Sequence, residues 1–315
     1  MKKFSIVVPV YQNELNIPFT VPELQKVGTY FEKKYEVEFI FVNDGSRDNS
    51  LELLIHESKK DSRIKIVNLS RNFGSMAAIQ AGIAISSGDC IGVITADLQD
   101  PPQLFEKMIE KWEKGKKVVI AVRQARKESF LKTFFANLFY FLISKYALAH
   151  YPRGGFDFVL IDKQVGEEIT RMTEKNTNVM NLIYWLGYDR DFIYYVRGER
   201  KHGKSQWTLA KKIKFFIDSF IAFSYTPIRL ISLFGFIIAL LSFTYGIYVI
   251  VNYFMGEIPI EGYTALMSVI TFLFGIVMIM LGIIGEYLWR ILDETRKRPL
   301  YVIDSIHVSD NKRNN

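Results

Sequence analysis

The segment VEFIFVNDGS, Val37–Ser46, decides the fold. Its first seven residues are β-branched, aromatic or otherwise strand-compatible, and they end in the turn residues Asp44-Gly45-Ser46. A short apolar run bounded by such residues predicts a buried strand. Helical spacing follows at Asp48–Lys60, with Asp48 as the expected cap. The segment therefore indicates one strand–turn–helix unit with an acidic residue at the carboxyl end of its strand.

The same alternation continues on both sides of this segment. Further strands are predicted at Phe4–Val10, Ile64–Leu69, Cys90–Thr95 and Val118–Val122. Helices are predicted at Glu14–Lys33 and Ser75–Ser86, and another is opened by Pro101-Pro102. This order predicts an α/β fold with a doubly wound, mostly parallel sheet, whose ligands bind at the carboxyl ends of the strands. The conspicuous polar residues at those ends are Tyr11, Asp44, Arg71, Asp97 and Arg123.

Composition excludes several classes of protein. Of the 315 residues, 49% are hydrophobic and 23% are charged, so the chain is not disordered. The single cysteine, Cys90, excludes a disulfide scaffold and a cysteine-based zinc site. The net charge of +7 suits anionic lipid or phosphate ligands, and no basic–aromatic module indicates a nucleic-acid partner.

Two long uncharged runs near the C-terminus predict membrane spans. Leu230–Phe254 and Tyr263–Gly285 each exceed the roughly 20 residues that a helix needs to cross a bilayer. The loop between them has two Glu and no Lys or Arg, whereas both outer flanks are basic. The positive-inside rule then predicts a multi-pass protein of the plasma (inner) membrane, with its catalytic domain and both termini in the cytoplasm.

The expected organisation has five parts. They are a cytosolic domain at 1–206, an amphipathic interfacial helix at 207–229, spans at 230–254 and 263–285, and a cytosolic tail at 286–315 that is loose from Asp304. A domain ending at Ser224 is expected to bind nucleotide by itself. The aromatic segment Phe130–Ala149 has an uncharged core, Thr133–Ser144, that is too short to span, and the segment is interpreted as either a buried core helix or a second interfacial helix.

Four motifs in fixed order resemble family 2 glycosyltransferases of the GT-A fold. They are VVPVYQNE (Val7–Glu14), VNDGSRD (Val42–Asp48), LSRNFG (Leu69–Gly74) and ADLQDPP (Ala96–Pro102). RKHGKSQW (Arg200–Trp207) and the two apolar runs extend the likeness over nearly the whole chain. The chain is most similar to the polyprenyl-phosphate sugar transferases, the group of dolichol-phosphate mannose synthase and the bactoprenol glucosyltransferases.

The resemblance implies a nucleotide-sugar donor, for which UDP is preferred over GDP. Asp44 and Glu14 would contact the base and ribose, Pro9 and Tyr11 would line the base pocket, and Arg71 would border the nucleotide. An Asp before Gly-Ser is also an ordinary turn or cap residue, so a structural role for Asp44 stays open.

The ADLQ motif is matched to the metal site of the family, which neutralises the leaving diphosphate with Mg²⁺ or Mn²⁺. The family usually has Asp-x-Asp here, whereas this chain has Thr95-Ala96-Asp97. Asp97 and Gln99 are the expected ligands. Asp97 as a helix cap is the alternative.

The acceptor that the resemblance implies is a polyprenyl (undecaprenyl) phosphate. A phosphate is already an anionic nucleophile, so the enzyme mainly supplies orientation and cations. Arg123 and Lys132 match positions that hold the lipid phosphate, and Arg200 and Lys204 belong to the donor-diphosphate segment. Arg126 and Arg197 are further cations without an assigned role. Asp157 is the candidate base, with a structural ion pair as its alternative.

Three other possibilities stay open. One is a catalytically silent, membrane-anchored module that binds nucleotide-sugar, which the missing first Asp supports. Another is a polysaccharide synthase, which the absence of any Arg-Trp pair disfavours. The third concerns assembly: glycines in the spans would permit a homo-oligomer.

Overall fold

The computed structural model describes residues 1–124, 130–153, 155–198, 218, 221–224, 226–255 and 262–308. These residues divide into two compact units. The first holds Met1–Phe220 together with Pro299–Asn315, and the second holds Ile221–Arg298. The chain therefore leaves the first unit and returns to it after the second.

The first unit is built on one eight-stranded sheet. Its strands are β1 (Lys2–Val10), β2 (Tyr35–Asn43), β3 (Ile64–Leu69), β4 (Cys90–Val93), β5 (Val118–Arg123), β6 (Phe158–Asp162), β7 (Arg190–Tyr195) and β8 (Ile303–Val308). Their order is β7-β5-β6-β4-β1-β2-β3-β8. The pairs β1/β2, β1/β4, β2/β3 and β5/β7 are parallel, whereas β6 and β8 run antiparallel to their neighbours. The expected doubly wound, mostly parallel sheet is confirmed.

Seven helices connect these strands. They are α1 (Ile17–Phe31), α2 (Ser50–Lys60), α3 (Ser75–Ile85), α4 (Leu104–Glu113), α5 (Phe130–Tyr146), α6 (Lys163–Arg171) and α7 (Val179–Trp185). The five strands and the helices predicted between them all lie where the sequence placed them, within a few residues. Phe4, Phe105 and Phe158 form the aromatic centre of the core, with ring centroids 5.2 and 4.8 Å apart. Burial of these rings fixes α4 against the sheet.

The loose tail predicted from Asp304 is wrong for residues 303–308. These residues form β8, which pairs antiparallel with β3 along the sheet edge. The backbone hydrogen bonds of this pairing replace those that a solvated tail would make with water. The segment beyond Val308 lies outside the described residues.

The described side chains of α5 are mostly exposed or half-buried. Ile143 is buried, whereas Leu138 and Phe141 are exposed and Lys145 lies 5.5 Å from the Phe141 ring centroid. The described side chains of α5 therefore do not support the prediction of a buried core helix for this segment. The interfacial helix predicted within 207–229 lies mostly outside the described residues.

The second unit contains two long helices, α8 (Thr226–Phe254) and α9 (Tyr263–Thr295). Segments Thr226–Tyr245 and Phe272–Thr295 are each long and apolar enough to cross a membrane. Helix α9 continues ten residues past the expected span end at Gly285. Within this unit Gly275, Gly282 and Gly285 have no described side chain within 4 Å of an added Cβ. The homo-oligomer expected from these glycines stays a prediction.

Candidate active site

The carboxyl ends of the parallel strands, or the loops that follow them, carry several of the predicted site residues: Pro9, Tyr11, Glu14, Asp44, Arg71, Asp97 and Arg123. The loop after β1 is tied to the loop after β2, since Gln12 N–H donates to Ser46 Oγ at 3.0 Å. Glu14 Oε2 accepts from Asn49 N–H at 3.1 Å. The structure thus brings Tyr11, Glu14 and Asp44 onto two adjoining loops, and Pro9 lies on β1 beside Val42 of β2.

Asp44 is almost completely buried at the end of β2. Its two carboxylate oxygens accept hydrogen bonds from Phe73 N–H at 2.7 Å and Gly74 N–H at 2.9 Å. Burial raises the pKa of Asp44, and the two backbone donors oppose that rise. Asp44 therefore stabilises the turn that opens α3. Its contact with a nucleotide stays a prediction.

The loop Ser70–Gly74 lies next to this carboxylate. Arg71 is exposed, with its guanidinium 4.0 Å from the Phe73 ring centroid. Gly45, at φ +61°, faces the backbone of this loop, and a Cβ there would lie 2.4 Å from the Arg71 carbonyl carbon. Only glycine fits both this conformation and this close approach. The predicted donor residues Asp44 and Arg71 are thereby placed on packed neighbouring loops.

The ADLQD segment after β4 forms a tight acidic turn. Thr95 Oγ1 donates to Asp97 Oδ1 at 2.9 Å, and Gln99 N–H donates to the same oxygen at 3.3 Å. Leu98 lies between them in the left-handed region, at φ +50°. The threonine that replaces the family's first acid is thus a hydrogen-bond donor to the remaining one.

The donor set at this turn fits a hard divalent cation. Asp97 offers carboxylate oxygens and Gln99 an amide oxygen, which suit Mg²⁺ or Mn²⁺ when substrate phosphates complete the shell. Among the described residues no three His, Cys, Asp or Glu side chains cluster as a ready-made cage. The site therefore fits a metal held jointly with a diphosphate rather than one held by protein alone.

Asp100 is a buried acid that sequence reasoning did not single out. It accepts a hydrogen bond from the Tyr195 hydroxyl, and its Oδ1 lies 3.2 Å from Arg197 Nε. Thr95 Oγ1 lies 3.3 Å from its other oxygen. Burial and the Asp100 carboxylate raise the pKa of Tyr195. Its position inside the ADLQDPP motif was the available signal.

The residues that follow β7 are hydrogen-bonded to the turn Asp97–Asp100. Gly198 N–H donates to the Gln99 carbonyl at 2.8 Å, and Arg197 NH2 approaches Asp97 Oδ2 to 4.0 Å. Arg197, a cation without an assigned role in the sequence, therefore stands beside both acids of the turn. Residues 199–206 follow directly, so the predicted Arg200 and Lys204 lie outside the described residues.

Arg123 and Asp157 form an ion pair at the end of β5. Burial disfavours the charged guanidinium, but Asp157 and Asp100 outweigh it and raise the pKa of Arg123. Tyr140 of α5 is buried nearby, which raises its pKa to about 12. The ion-pair alternative for Asp157 is thus the one the structure supports. Lys132 lies on α5, and its side chain is outside the described part of the structure.

These contacts form one polar network. Arg123, which pairs with Asp157, lies opposite Tyr195 in the β5/β7 pairing; Tyr195 donates to Asp100, and Thr95 and Arg197 connect Asp100 to Asp97. The predicted acceptor-phosphate cation Arg123 and the predicted metal ligand Asp97 are therefore connected through four residues to which the sequence assigned no role: Tyr195, Asp100, Thr95 and Arg197.

Comparison with known proteins agrees with this geometry. Residues 5–170 match Glycosyl transferase family 2, and residues 226–291 match the GtrB C-terminal hairpin. The chain is 41% identical over 312 residues to the uncharacterized glycosyltransferase YkcC of Bacillus subtilis (strain 168), covering 99% of this chain and 96% of the relative. It is 35% identical over 309 residues to the SfII prophage-derived bactoprenol glucosyl transferase of Shigella flexneri, covering 97% and 98%.

A more distant likeness exists among solved structures. The mannosyltransferase PcManGT from Pyrobaculum calidifontis, in complex with GDP-Man and Mn²⁺, is 15% identical with a TM-score of 0.44. It covers 63% of this chain and 57% of its own. This likeness adds nothing to what the two sequence families establish.

Proposed function

Because the chain belongs to glycosyl transferase family 2, we propose that it transfers a sugar from a nucleotide-sugar to a polyprenyl phosphate at the cytoplasmic face of a membrane. The observation that carries the proposal is the extent of the likeness to a bactoprenol glucosyl transferase. It spans 97% of this chain and so includes the catalytic unit and the helical hairpin together. A UDP-sugar is the preferred donor, and undecaprenyl phosphate is the preferred acceptor.

The acceptor chemistry matches the groups on the site. A lipid phosphate has a second pKa of about 6 and attacks as an anion, so no strong base is required. Arg123 is the cation we assign to this phosphate, with Lys132 as its predicted neighbour. Asp157 then orients the Arg123 guanidinium rather than removing a proton.

The transfer step conserves atoms and charge. A phosphate oxygen of the lipid forms a bond to the anomeric carbon while the bond from that carbon to the donor diphosphate breaks. Attack from the opposite face would give inversion. The nucleoside diphosphate leaves with the bonding electron pair, and no proton transfer is needed.

A divalent cation held by Asp97 and Gln99 would neutralise the departing diphosphate. Thr95 and the Gln99 backbone orient the Asp97 carboxylate for this role through their two hydrogen bonds. Arg197, within 4.0 Å of Asp97, places a second positive charge next to the same leaving group.

The chain path supports the proposed topology. β8 follows the two apolar helices and pairs with β3 in the same sheet as the N-terminal strands. A chain that crosses a bilayer twice returns to its starting side, where this pairing is accessible. The catalytic unit and both ends of the hairpin would then share the cytoplasmic side.

The function is tested by incubating the purified protein in detergent with undecaprenyl phosphate and labelled UDP- and GDP-sugars. We expect label from one donor to enter a lipid fraction with Mg²⁺ or Mn²⁺ and not with EDTA. Asp97→Asn serves as the inactive control. If nucleotide binds but no donor gives a lipid product, the protein is the silent binding module or uses another acceptor.

A further inference from the structure

Strand β8 begins beside the loop that follows β3. Its pairing with β3 runs from Val308 opposite Lys65 to Ile303 opposite Leu69. One residue further, Ser70 N–H donates to the Val302 carbonyl at 3.0 Å. The backbone hydrogen bonds of the returning segment therefore continue into the first residue of the loop Ser70–Gly74.

A second connection runs through side chains. Asn68 Nδ2 donates to Asp304 Oδ2 at 3.1 Å, and Asn43 Nδ2 donates to Asn68 Oδ1 at 2.8 Å. Asn43 is almost completely buried and directly precedes Asp44. Asp304, which lies beyond the helical hairpin, is thus two hydrogen bonds from the residue next to the buried acid of the donor region.

The opposite side of the loop is held by β2. Asp44 accepts from the backbone of Phe73 and Gly74, and Gly45 packs against Arg71 and Asn72. The loop is consequently fixed on one side by the end of β2 and on the other by the Val302 carbonyl, while Asp304 holds the end of β3, directly before the loop, through Asn68. Loss of either side leaves backbone donors without their partners and lets the loop sample other conformations.

We propose that β8 is a positioning element of the donor site, which holds the loop Ser70–Gly74 in the conformation that binds the nucleotide-sugar. This inference rests on the proposed function, since it takes Asp44 and Arg71 to border the nucleotide. When the loop is already ordered in the free protein, donor binding does not include the entropic cost of ordering it. Strand β8 thus increases donor affinity without contacting the donor. The lipid phosphate site at Arg123 has no contact with this segment among the described residues.

The proposal reverses one expectation from the sequence. A domain ending at Ser224 would carry every predicted donor residue but lack β8. We expect such a domain to bind nucleotide weakly, because β3 becomes an open edge and Ser70 loses its partner.

The test uses the full-length protein in detergent with Asp304→Ala. Loss of one hydrogen bond to a carboxylate predicts about a fivefold weaker UDP affinity by calorimetry, and a donor KM raised by the same factor. Amide hydrogen exchange at residues 70–74 should become faster, whereas the KM for undecaprenyl phosphate should change less than about twofold. Asp304→Asn retains an acceptor oxygen and should restore most of the affinity.

The matched control is Asp189→Ala, which removes an exposed acid paired with Lys116 beyond the other edge of the sheet. It should leave exchange at residues 70–74 and the donor KM unchanged. A truncation of residues 300–315 should exceed the effect of Asp304→Ala, and the point variant carries the test if the truncated chain fails to fold.

Two results overturn the proposal. Unchanged exchange at residues 70–74 in Asp304→Ala would show that β8 does not hold the loop, whatever the protein transfers. Faster exchange with unchanged UDP affinity would show that the loop does not bind the donor. Hydrogen exchange and UDP affinity are both measured without forming a lipid product. If the proposed acceptor is wrong, the transfer assay alone will show it.

Discussion

The hydroxyl of Thr95 donates a hydrogen bond to the Asp97 carboxylate across 2.9 Å. The same hydroxyl lies 3.3 Å from Asp100. A carboxylate at position 95 would place a third negative charge against these two acids, whereas a hydroxyl stabilises them. Thr95 therefore keeps the turn intact at the position where an acid is usual in the family.

Thr95→Val should raise the concentration of Mn²⁺ or Mg²⁺ that activity requires. Valine keeps the volume but removes the hydrogen bond that orients Asp97, and such a bond to a charged group predicts about a tenfold rise in the apparent metal Kd. Metal titrations of initial rate measure this. Thr95→Ser retains the hydroxyl and should behave as the native protein; equal effects of Val and Ser would refute the orientation role.

Asp97→Asn should lower kcat by roughly 100-fold or more, because it removes the anionic ligand next to the leaving group. The melting temperature should change little in comparison. Transfer of labelled sugar to lipid and thermal unfolding, measured on one preparation, separate the two effects. Activity that survives this substitution would show that our metal assignment is wrong.

Arg123→Ala should impair use of the lipid acceptor far more than use of the donor. Loss of a charged hydrogen bond to the lipid phosphate predicts a roughly 10- to 100-fold fall in kcat/KM for undecaprenyl phosphate. UDP affinity, measured by calorimetry, should stay near the native value. Lys116→Ala removes a surface cation and is the control. A loss confined to donor affinity would reverse the assignment of Arg123.

Asp100→Asn should destabilise the catalytic unit by about 3 kcal/mol, because it removes the buried carboxylate that pairs with Arg197 Nε. Tyr195→Phe removes only one hydrogen bond to Asp100 and should cost about 1 kcal/mol. Denaturant unfolding followed by tryptophan fluorescence gives both values. Equal losses would mean that charge is not what Asp100 supplies.

Glu38 should make stability depend on acid pH. Burial opposes its ionisation, but hydrogen bonds from Lys65, Ser5 and the Ser87 backbone prevail and lower its pKa to about 2. The unfolded chain binds the proton at higher pH, so this contribution is complete above the unfolded pKa and disappears as the pH falls through the folded one.

Between pH 5 and pH 2 the native protein should therefore lose about 3 kcal/mol more than Glu38→Gln does. Unfolding curves across this range measure the difference. Glu36→Gln, at a largely exposed neighbour that pairs with Lys3, is the matched control. Identical pH profiles for native protein and Glu38→Gln would contradict the low pKa.

The sequence predicts β1 to β5 because each is a short, mostly apolar and largely buried run bounded by polar or turn residues. β8 could not be predicted in the same way. Its residues IDSIHV alternate between half-buried and exposed, which is the pattern of an edge strand and also of a polar tail. Asn68 and Asp304 are 236 residues apart, so nothing local specifies their pairing.

The site shows the same division. The positions of Asp97 and Arg123 at or just after strand ends were predictable, while their roles stay predictions. Asp100 was not, because an acid before Pro-Pro also suits a helix start and its burial depends on Tyr195, 95 residues further along. A motif shows which acidic and basic side chains are present near the site. Which of them form hydrogen bonds or ion pairs with one another depends on tertiary contacts.

The strand order also constrains biosynthesis. β8 is synthesised after both apolar helices, so the sheet cannot be completed until the hairpin has been made. In the proposed topology, a chain that inserted only one of the two helices would leave β8 on the far side of the bilayer from β3. Completion of the sheet edge thus reports correct membrane insertion, and a misinserted chain would retain an open β3 edge that quality-control proteases can recognise.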